Sequence, residues 1–570
     1  MKGNTASHQR LVQAITDNPD LNQAQVKAGL REAGYTITQT AMGKAWAEVR
    51  GAGAGAGSKR PSYRRNSRSR PLGSVEEGVP LCDPATAHED EKPVAGGSLP
   101  SPDEGRRRLA GRRFFFTAAQ NNTYLHSDLW DSIQHFCRVN KVQLGVSRIT
   151  YNKNAWERQS GVTTESEEVW YDHRLHPYFL DEQVKVADGL VFCGELDILA
   201  SASNPLSGLD NYAGHNSAII PHTKMQMQSL ATMKFEPTKF LYTTGTCTLR
   251  NYIDRKAGQL ASYHHVYGGM YVEVAEDGAW FARQINADDN GWFYDLDRVY
   301  GPGWDKPASA MGFPLVNLGD VHIEKVDSQQ LAGAMDMMDH LNPSAIFLHD
   351  LIDFSARNHH NKKDGHFLHA MHFQGDPVVE NGMSLAAQFL YGLSNRYPCA
   401  TLYVIRSNHD CAFEKWLREG TPYPDPCNMR YWHECNARAL RAVEDAEVFD
   451  VFAWAIQQQA KRKGYSIDRV QFIQEDQSLV MLGIEFGMHG HLGPNGARAN
   501  PRSFRQIGRK ANTGHTHSAG IIDGIWTAGV LGSLDMGYNK GPSSWSCSHV
   551  LTYPNGKRSI VTQRGSQWRA

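Results

Sequence analysis

Apolar runs that each end in a polar cluster recur from about Pro314 to the end of the chain. The runs PLVNL, AIFL, TLYVI and MLGIEF have the length and content of strands. Helical spacing over residues 328–341 and 380–395 separates the first strands, which predicts right-handed crossovers between parallel strands. Because such strands end at the same edge of a sheet, the polar clusters should meet there. This pattern predicts one α/β domain over residues 306–570, with polar residues gathered at one edge of its sheet, where a catalytic site would lie.

A weaker pattern of the same kind covers residues 112–305. Helical spacing is present over residues 127–139, with Ser127 as the expected cap. Strands are predicted at residues 114–116, 142–151, 184–192 and 270–274. The pattern predicts an α/β accessory domain, and none of its residues has a spacing typical of catalysis.

The first 50 residues show three short helical patterns, at residues 9–16, 22–33 and 38–49. Their apolar positions are Val26, Leu30, Ile37, Met42, Ala45 and Trp46. Three helices with tight turns are typical of a helix-turn-helix, but also of small helical bundles that bind no DNA. Both interpretations of residues 1–50 remain open.

Residues 51–111 change composition to GAGAGAG, then SKRPSYRRNSRSRP, then an acidic stretch that contains proline. Such sequences cannot bury a core and predict a flexible linker. The basic part either binds phosphate backbones or is a solvated spacer.

Composition and charge restrict the function classes. The formal net charge of −1 provides no overall attraction to nucleic acid, so any such contact depends on local basic surface. The nine cysteines are scattered and form no CxxC pair, which predicts reduced thiols. The chain shows neither a membrane-length apolar run nor an apolar signal core. We therefore expect a cytoplasmic protein with no membrane partner.

The polar clusters contain the residue types that bind a pair of divalent cations. Hydrolysis of a phosphate ester needs a nucleophile at neutral pH and positive charge opposite the phosphate, and two cations provide both. Such a pair shares one anionic oxygen ligand and takes further oxygen and nitrogen ligands. The residues at the ends of the apolar runs are Asp320, His322, Asp350, Asn408, His409, Asp410, His489 and His491, and the later cluster NTGHTH adds His515 and His517. They predict a two-metal phosphoesterase site.

The series GDVH, HD, SNHD, MHGH and GHTH resembles the signature of the calcineurin-like metallophosphoesterases over residues 314–561. The resemblance implies a two-sheet sandwich flanked by helices. It also implies two groups of metal ligands, which are Asp320, His322 and His517 for one ion and Asn408, His489 and His515 for the other. Asp350 would bridge the two ions. His409 would stabilise the transition state or protonate the leaving oxygen, oriented by Asp410.

Two positions depart from the pattern of this family. His349 and Ser407 stand where the family usually has glycine, so these replacements either shift the loop geometry or add a side chain that contacts a ligand. Neither replacement removes a predicted ligand. In MHGH the resemblance favours His489 as the ligand, and His491 remains the alternative.

Basic residues near these motifs are the evidence for which phosphate ester is the substrate. The residues predicted to contact substrate are Arg357, His360, Lys363, His491 and Arg498. Together with a helical module on a basic tether, they favour a DNA nuclease that uses Mn²⁺, with Mg²⁺, iron or zinc as alternatives. Two other functions stay open, a phosphatase or phosphodiesterase for protein or small-molecule substrates, and a non-catalytic DNA-binding protein with a vestigial metal site. A homo-oligomer is also left open.

The segments AAQNNT and GVSRITYNKN are similar to large phage phosphoesterases of T-five-like siphophages. That resemblance implies a role in host DNA degradation or DNA transfer, in the cytoplasm of the infected bacterium.

Overall fold

The computed structural model describes residues 4–5, 8–17, 26, 30, 33, 35–36, 45, 49, 107–151, 169–358, 364–375 and 377–570. The chain divides into two compact units, Met1–Ala95 and Gly96–Ala570. None of the helices in the described ranges is both long and apolar enough to cross a lipid bilayer.

The described residues of the first unit contain β1 (Asn4–Thr5), α1 (His8–Thr16) and β2 (Tyr35–Thr36), and β1 pairs with β2 in parallel. Leu11 and Ile15, four residues apart on α1, are buried together. Helix α1 agrees with the helix predicted at residues 9–16. Of the helices predicted at 22–33 and 38–49, the structure describes only residues 26, 30, 33, 45 and 49, and Val26 and Ala45 are buried with Leu11 and Ile15. Most of the predicted linker lies outside the described residues, but Arg107–Arg108 at its end form a strand that pairs with Val184 and Lys185. DNA binding by the first unit stays a prediction.

The second unit begins with a strand-rich part and continues with a part in which strands and helices alternate. Up to residue 309 its described elements are β3 (Arg107–Arg108), β4 (Arg113–Gln120), α2 (Ser127–Asn140), β5 (Gln143–Ile149), β6 (Gln183–Ala187), β7 (Leu190–Cys193), β8 (Ser217–Ile220), β9 (Met227–Leu230), β10 (Lys239–Thr243), α3 (Lys256–His264), β11 (Gly268–Val274), β12 (Trp280–Asn286), β13 (Phe293–Asp295), β14 (Arg298–Tyr300) and β15 (Ala308–Ser309). The elements described after them are β16 (Leu315–Asn317), α4 (Ser328–Leu341), β17 (Ala345–His349), α5 (Gly365–Gln374), α6 (Val379–Arg396), β18 (Thr401–Ile405), α7 (Asn408–Glu419), α8 (Met429–Glu444), α9 (Val451–Lys463), β19 (Val470–Ile473), β20 (Val480–Met481), β21 (Ile484–Glu485), β22 (Lys510–Thr513), β23 (Gly520–Ile522), β24 (Ile525–Thr527), β25 (Ser548–Thr552) and β26 (Arg558–Thr562).

Two large sheets organise the second unit. Among the described strands, one sheet has the order β19-β18-β17-β16-β25-β26, in which β16 to β19 are parallel. The other has the order β20-β21-β22-β24-β23-β9-β10-β8-β7-β6-β3. Its two halves come from either side of residue 305 and are joined by β9 and β23, where Met227 is opposite Ile521. The domain boundary at 305/306 stays a prediction, but one sheet spans that position.

The apolar run of β17 is continuous because this strand is buried on both faces. Ile346 and Leu348 belong to a core shared with helices α4, α6, α7 and α9, whereas Phe347 faces the other way and stacks on Phe486, with ring centroids 4.4 Å apart. A strand buried on both faces needs apolar residues at every position. Helices therefore cover one face of the six-stranded sheet, strands of the second sheet cover the other, and the fold is mixed α/β, as predicted.

Three local predictions were wrong. The run MLGIEF, predicted as one strand, is a hairpin of β20 and β21 in the eleven-stranded sheet, because Leu482 and Gly483, with φ values of 53° and 73°, turn the chain. The single strand predicted at residues 184–192 is a hairpin of β6 and β7, because Gly189, with φ +77°, turns the chain. Helix α2 is capped by His126, whose side chain accepts a hydrogen bond from the Leu129 backbone N–H, so Ser127 is the first helical residue.

Candidate metal centre

The strand ends bring together all seven residues predicted as metal ligands. Asp320 and His322 follow β16, Asp350 directly follows β17, and Asn408 begins α7 after β18. The remaining three follow strands of the facing sheet, and they are His489, His515 and His517. The site therefore lies where the carboxyl ends of strands from two sheets meet.

The first group of side chains is compact and buried. The Nε2 atoms of His322 and His517 are 3.0 Å apart, and His517 Nε2 lies 3.2 Å from Asp320 Oδ2. Asp350 Oδ2 is 3.5 Å from His322 Nε2 and 3.9 Å from His517 Nε2. One ligand atom from each of these four residues lies within 4.8 Å of the others. At this spacing a single metal ion can contact all four atoms.

A second group lies on the other side of Asp350. The Asn408 side-chain oxygen is 3.0 Å from His489 Nε2 and 3.0 Å from His515 Nδ1. The same Oδ2 atom of Asp350 that faces the first group is 3.4 Å from His489 Nε2. One carboxylate oxygen thus lies between two sets of nitrogen and oxygen atoms, in the grouping that the resemblance implied.

The backbone at this site is strained. His322, Asp350, His515 and His517 have φ values of 45°, 41°, 74° and 55°, in the left-handed region that residues with a Cβ rarely adopt. Each such residue costs about 1–3 kcal/mol, and such conformations cluster at functional sites. Strain at four of the seven predicted ligands indicates that the fold maintains a demanding side-chain arrangement.

Two glycines of the motifs are required by close packing. A Cβ atom on Gly514 would lie 2.1 Å from Asp320 Oδ1, and one on Gly319 would lie 2.7 Å from the Val530 backbone. The glycine of GHTH therefore lets the chain approach the buried Asp320 carboxylate, and the glycine of GDVH lets it approach the Val530 backbone.

The unsatisfied atoms of the site fit a cation. Within the described residues, Asp320 Oδ1 and both carboxylate oxygens of Asp350 are buried without a hydrogen-bond partner. A buried carboxylate oxygen that accepts no hydrogen bond is costly. Carboxylate oxygens, an amide oxygen and imidazole nitrogens that converge in this way are ligands for divalent metals. The buried Asp and His side chains can therefore hold metal.

The ionisable groups of the site alter one another's pKa values. Burial lowers the pKa of His517, but the Asp320 and Asp350 carboxylates outweigh burial and raise it to about 9. Burial and the neighbouring His489 lower the pKa of His515 to about 4. The carboxylates thus attract positive charge into the centre.

His409 is oriented by Asp353. Its Nδ1 atom lies 2.9 Å from the Asp353 backbone oxygen and 3.6 Å from the carboxylate, which is also 3.3 Å from His322 Nδ1. The sequence prediction gave this orienting role to Asp410 and missed Asp353. The spacing in HDLID, which places a second aspartate three residues after Asp350, could have identified it.

Asp410 has a different environment. Its backbone N–H donates to the Ser407 hydroxyl, 3.1 Å away, and the Ser407 side chain thereby caps α7. Burial and the nearby Asp350 raise the pKa of the Asp410 carboxyl to about 7. Ser407 thus serves as a helix cap where glycine was expected. His349, the other departure, is buried 3.4 Å from the Asn317 amide and does not displace Asp350.

The predicted substrate contacts differ in their surroundings. Arg357 forms an ion pair with Asp425, so its charge is already compensated. His491 Nε2 lies 2.8 Å from Glu475 Oε1, and the His491 ring is 5.3 Å from the His489 ring. Arg498 is exposed on the loop that follows His491. The other two residues, His360 and Lys363, lie outside the described residues.

Comparison with known proteins identifies one relative over most of the chain. The chain is 35% identical to protein A1 of Escherichia phage T5 over 497 residues, which are 84% of this chain and 87% of that protein. No protein-family model matches the chain, and no solved structure matches it. On this identity and coverage, the chain belongs to the family of the phage T5 protein A1.

Proposed function

We propose that this protein is a two-metal phosphodiester hydrolase of the calcineurin-like metallophosphoesterase type, and that its substrate is DNA. The observation that carries the proposal is the position of Asp350 Oδ2, which is 3.5 Å from His322 Nε2 and 3.4 Å from His489 Nε2. A carboxylate oxygen that faces both ligand groups is what a bridged pair of cations requires.

The residues that would hold the ions are those of the two groups. Asp320, His322 and His517 would hold one, Asn408, His489 and His515 the other, and Asp350 both. Two divalent cations, Mn²⁺ in our proposal, would supply a nucleophile at neutral pH and positive charge opposite the phosphate oxygens. The chain contributes their separation and a buried environment in which charges interact strongly.

His409 is the proposed proton donor. It is buried beside the ligands, with its ring centroid 4.7 Å from that of His322. The Asp353 backbone oxygen 2.9 Å from His409 Nδ1 fixes the ring, and Nε2 would be the atom that protonates the leaving oxygen of the ester.

Three features support DNA as the substrate. Arg498 is exposed near His491, where it can contact a phosphate. The segment SKRPSYRRNSRSRP places basic residues on the chain ahead of the catalytic part. The relationship to a phage protein supports a role in degradation or transfer of DNA during infection, in the host cytoplasm.

The decisive experiment incubates the full-length protein with circular and linear DNA under a panel of divalent metals. We expect cleavage that requires an added metal and is lost in His409→Ala and Asp350→Asn. Product lengths separate nicking from end digestion. Cleavage retained in both variants would reject this site as the catalytic one.

The same preparations test the other two functions. Turnover of a p-nitrophenyl phosphate ester while DNA stays intact would indicate a phosphatase or small-molecule phosphodiesterase. DNA binding without turnover of either substrate would indicate a binding protein with a vestigial metal site.

A further inference from the structure

A second charged site lies apart from the metal centre, in a cavity of about 610 Å³ within the second unit. The cavity lies between the region of α3, the start of β22 and the turn that precedes β26. Its lining includes seven lysine and arginine side chains and two aspartates. The cations are Lys224, Arg250, Arg505, Arg509, Lys510, Lys557 and Arg558.

Four of these cations are compensated. Lys224 and Arg505 both pair with Asp523, Arg250 pairs with Asp289 at 3.0 Å, and Arg509 lies 3.2 Å from Glu485. These ion pairs account for both aspartates in the lining of the cavity.

The other three cations have no carboxylate at ion-pair distance among the described residues, and they are Lys510, Lys557 and Arg558. Arg558 is only 4% exposed and donates to neutral acceptors, the backbone oxygens of Ala511 and Gly524 and the Asn512 side chain, each at 2.9 Å. The Trp526 ring centroid, 4.9 Å from Arg558 Cζ, also faces this charge. A buried guanidinium without an anionic partner still has a desolvation cost, which a bound anion would offset.

Repulsion between like charges adds to the effect of burial at two of these three cations. Burial and Arg558 lower the pKa of Lys510, and burial and Lys510 lower the pKa of Lys557, which the more distant Asp289 and Asp288 offset in part. A dianion placed among the three side chains would relieve both the repulsion and the cost of burial.

The remaining lining suits a nucleoside. Tyr263 is 80% exposed at the cavity, and its ring lies 5.0 Å from that of His264, which also lines it. An exposed aromatic ring near a phosphate site can stack on a base. The volume is also that of typical small-ligand sites, about 300–1,000 Å³.

We propose that this cavity binds the terminal phosphate of a nucleotide, either a free nucleotide or the end of a DNA strand. Lys510, Lys557 and Arg558 hold the phosphate, and Tyr263 stacks on the base. A terminal phosphate suits three uncompensated cations better than an internal phosphodiester, because it carries about two negative charges at neutral pH.

The site is separate from the metal centre but connected to it by one strand. Lys510 begins β22 and Thr513 ends it, two residues before His515. The strand spans roughly 10 Å from Lys510 to Thr513. The lining of the cavity contains none of the seven predicted metal ligands, so binding there can be tested separately from the proposed hydrolase activity.

Isothermal titration calorimetry of the full-length protein in EDTA tests the proposal without hydrolysis. Three probes are compared: a deoxynucleoside diphosphate, a short single strand with a 5′-phosphate, and the same strand with a 5′-hydroxyl. Binding of the diphosphate alone would identify a free nucleotide as the ligand, and binding of the 5′-phosphorylated strand would identify a strand end. No binding of either, or equal binding of both strands without binding of the diphosphate, overturns the proposal.

The double variant Lys510→Gln/Lys557→Gln removes two of the three cations without altering the buried Arg558. We expect its Kd to rise at least about tenfold, with a weaker dependence on salt. The matched control is Lys461→Gln/Lys463→Gln, which removes two lysines from the last turn of α9. Equal affinity of the two double variants would overturn the assignment. Asp350→Asn should bind as the wild type does, so loss of the metal centre is distinguishable from loss of this site.

Discussion

Two clusters of buried charged residues in the second unit differ in whether their charged atoms have hydrogen-bond partners. Arg283 on β12 donates at 2.5 Å to Glu273 on β11, and at 2.5 Å and 3.0 Å to the two oxygens of Asp295 on β13. At the metal centre, by contrast, Asp350 has two carboxylate oxygens without a hydrogen-bond partner among the described residues.

The backbone conformations of the two clusters also differ. Arg283 and Glu273 lie within paired antiparallel strands, whereas four of the predicted ligands have left-handed φ values. A buried charge that the chain itself compensates, on regular backbone, needs no added ligand. Buried charges that face one another on strained backbone indicate that the fold is arranged for something added to it.

The largest expected effect is on catalysis by Asp350→Asn. Asparagine keeps the shape but removes the anionic oxygen that faces both ligand groups, so we expect DNA hydrolysis to fall at least about 10³-fold. Initial rates with saturating Mn²⁺ provide the measurement, and circular dichroism checks the fold. A loss below tenfold would show that Asp350 does not bridge two ions.

The matching change in the other cluster is Arg283→Met. It leaves Glu273 and Asp295 buried without a cation, which should lower the free energy of unfolding by about 3–5 kcal/mol. Urea denaturation measures this loss. The protein that remains folded should keep its metal affinity, and a specific loss of metal binding would contradict the proposed division between the clusters.

A smaller effect is expected from Asp353→Asn, because Asp353 acts through His409. We expect kcat to fall about 10²-fold with little change in KM. Asp410→Asn is the control, because the Asp410 carboxyl, with its pKa raised to about 7 by burial and Asp350, is already partly neutral. A greater loss in Asp410→Asn would return the orienting role to that residue.

The smallest expected effect is thermal stabilisation by metal. A ligand at one hundred times its Kd stabilises the folded state by about 2.7 kcal/mol. Added Mn²⁺ should therefore raise the Tm of the EDTA-treated wild type by a few degrees, as measured by scanning calorimetry. Arg283→Met should show the same increment from its lower baseline, and Asp350→Asn should show almost none.

The sequence indicates one of these clusters much better than the other. Asp320, Asp350 and Asn408 each follow an apolar run, and because parallel strands end together, local patterns were sufficient to predict that they meet. Glu273 and Arg283 show no such signal, since their contact depends on strand register and not on a repeated motif.

Side-chain direction limited the prediction of the site itself. The motif SNHD places Asp410 beside His409 in sequence, yet the ring of His409 is held by Asp353, which comes from another strand end. Which neighbour orients a ring depends on tertiary packing around α7. Likewise, no local pattern revealed that β9 and β23 pair, because they are separated by almost 300 residues in the chain.

That pairing has a consequence for how this protein can be divided or recombined. A fragment that begins after residue 305 would carry β23 with its β9 partner missing. Unpaired strand edges are templates for aggregation. The part of the chain after residue 305 should therefore not be moved into another protein alone. A gene fusion that keeps it must also keep the strands that precede it.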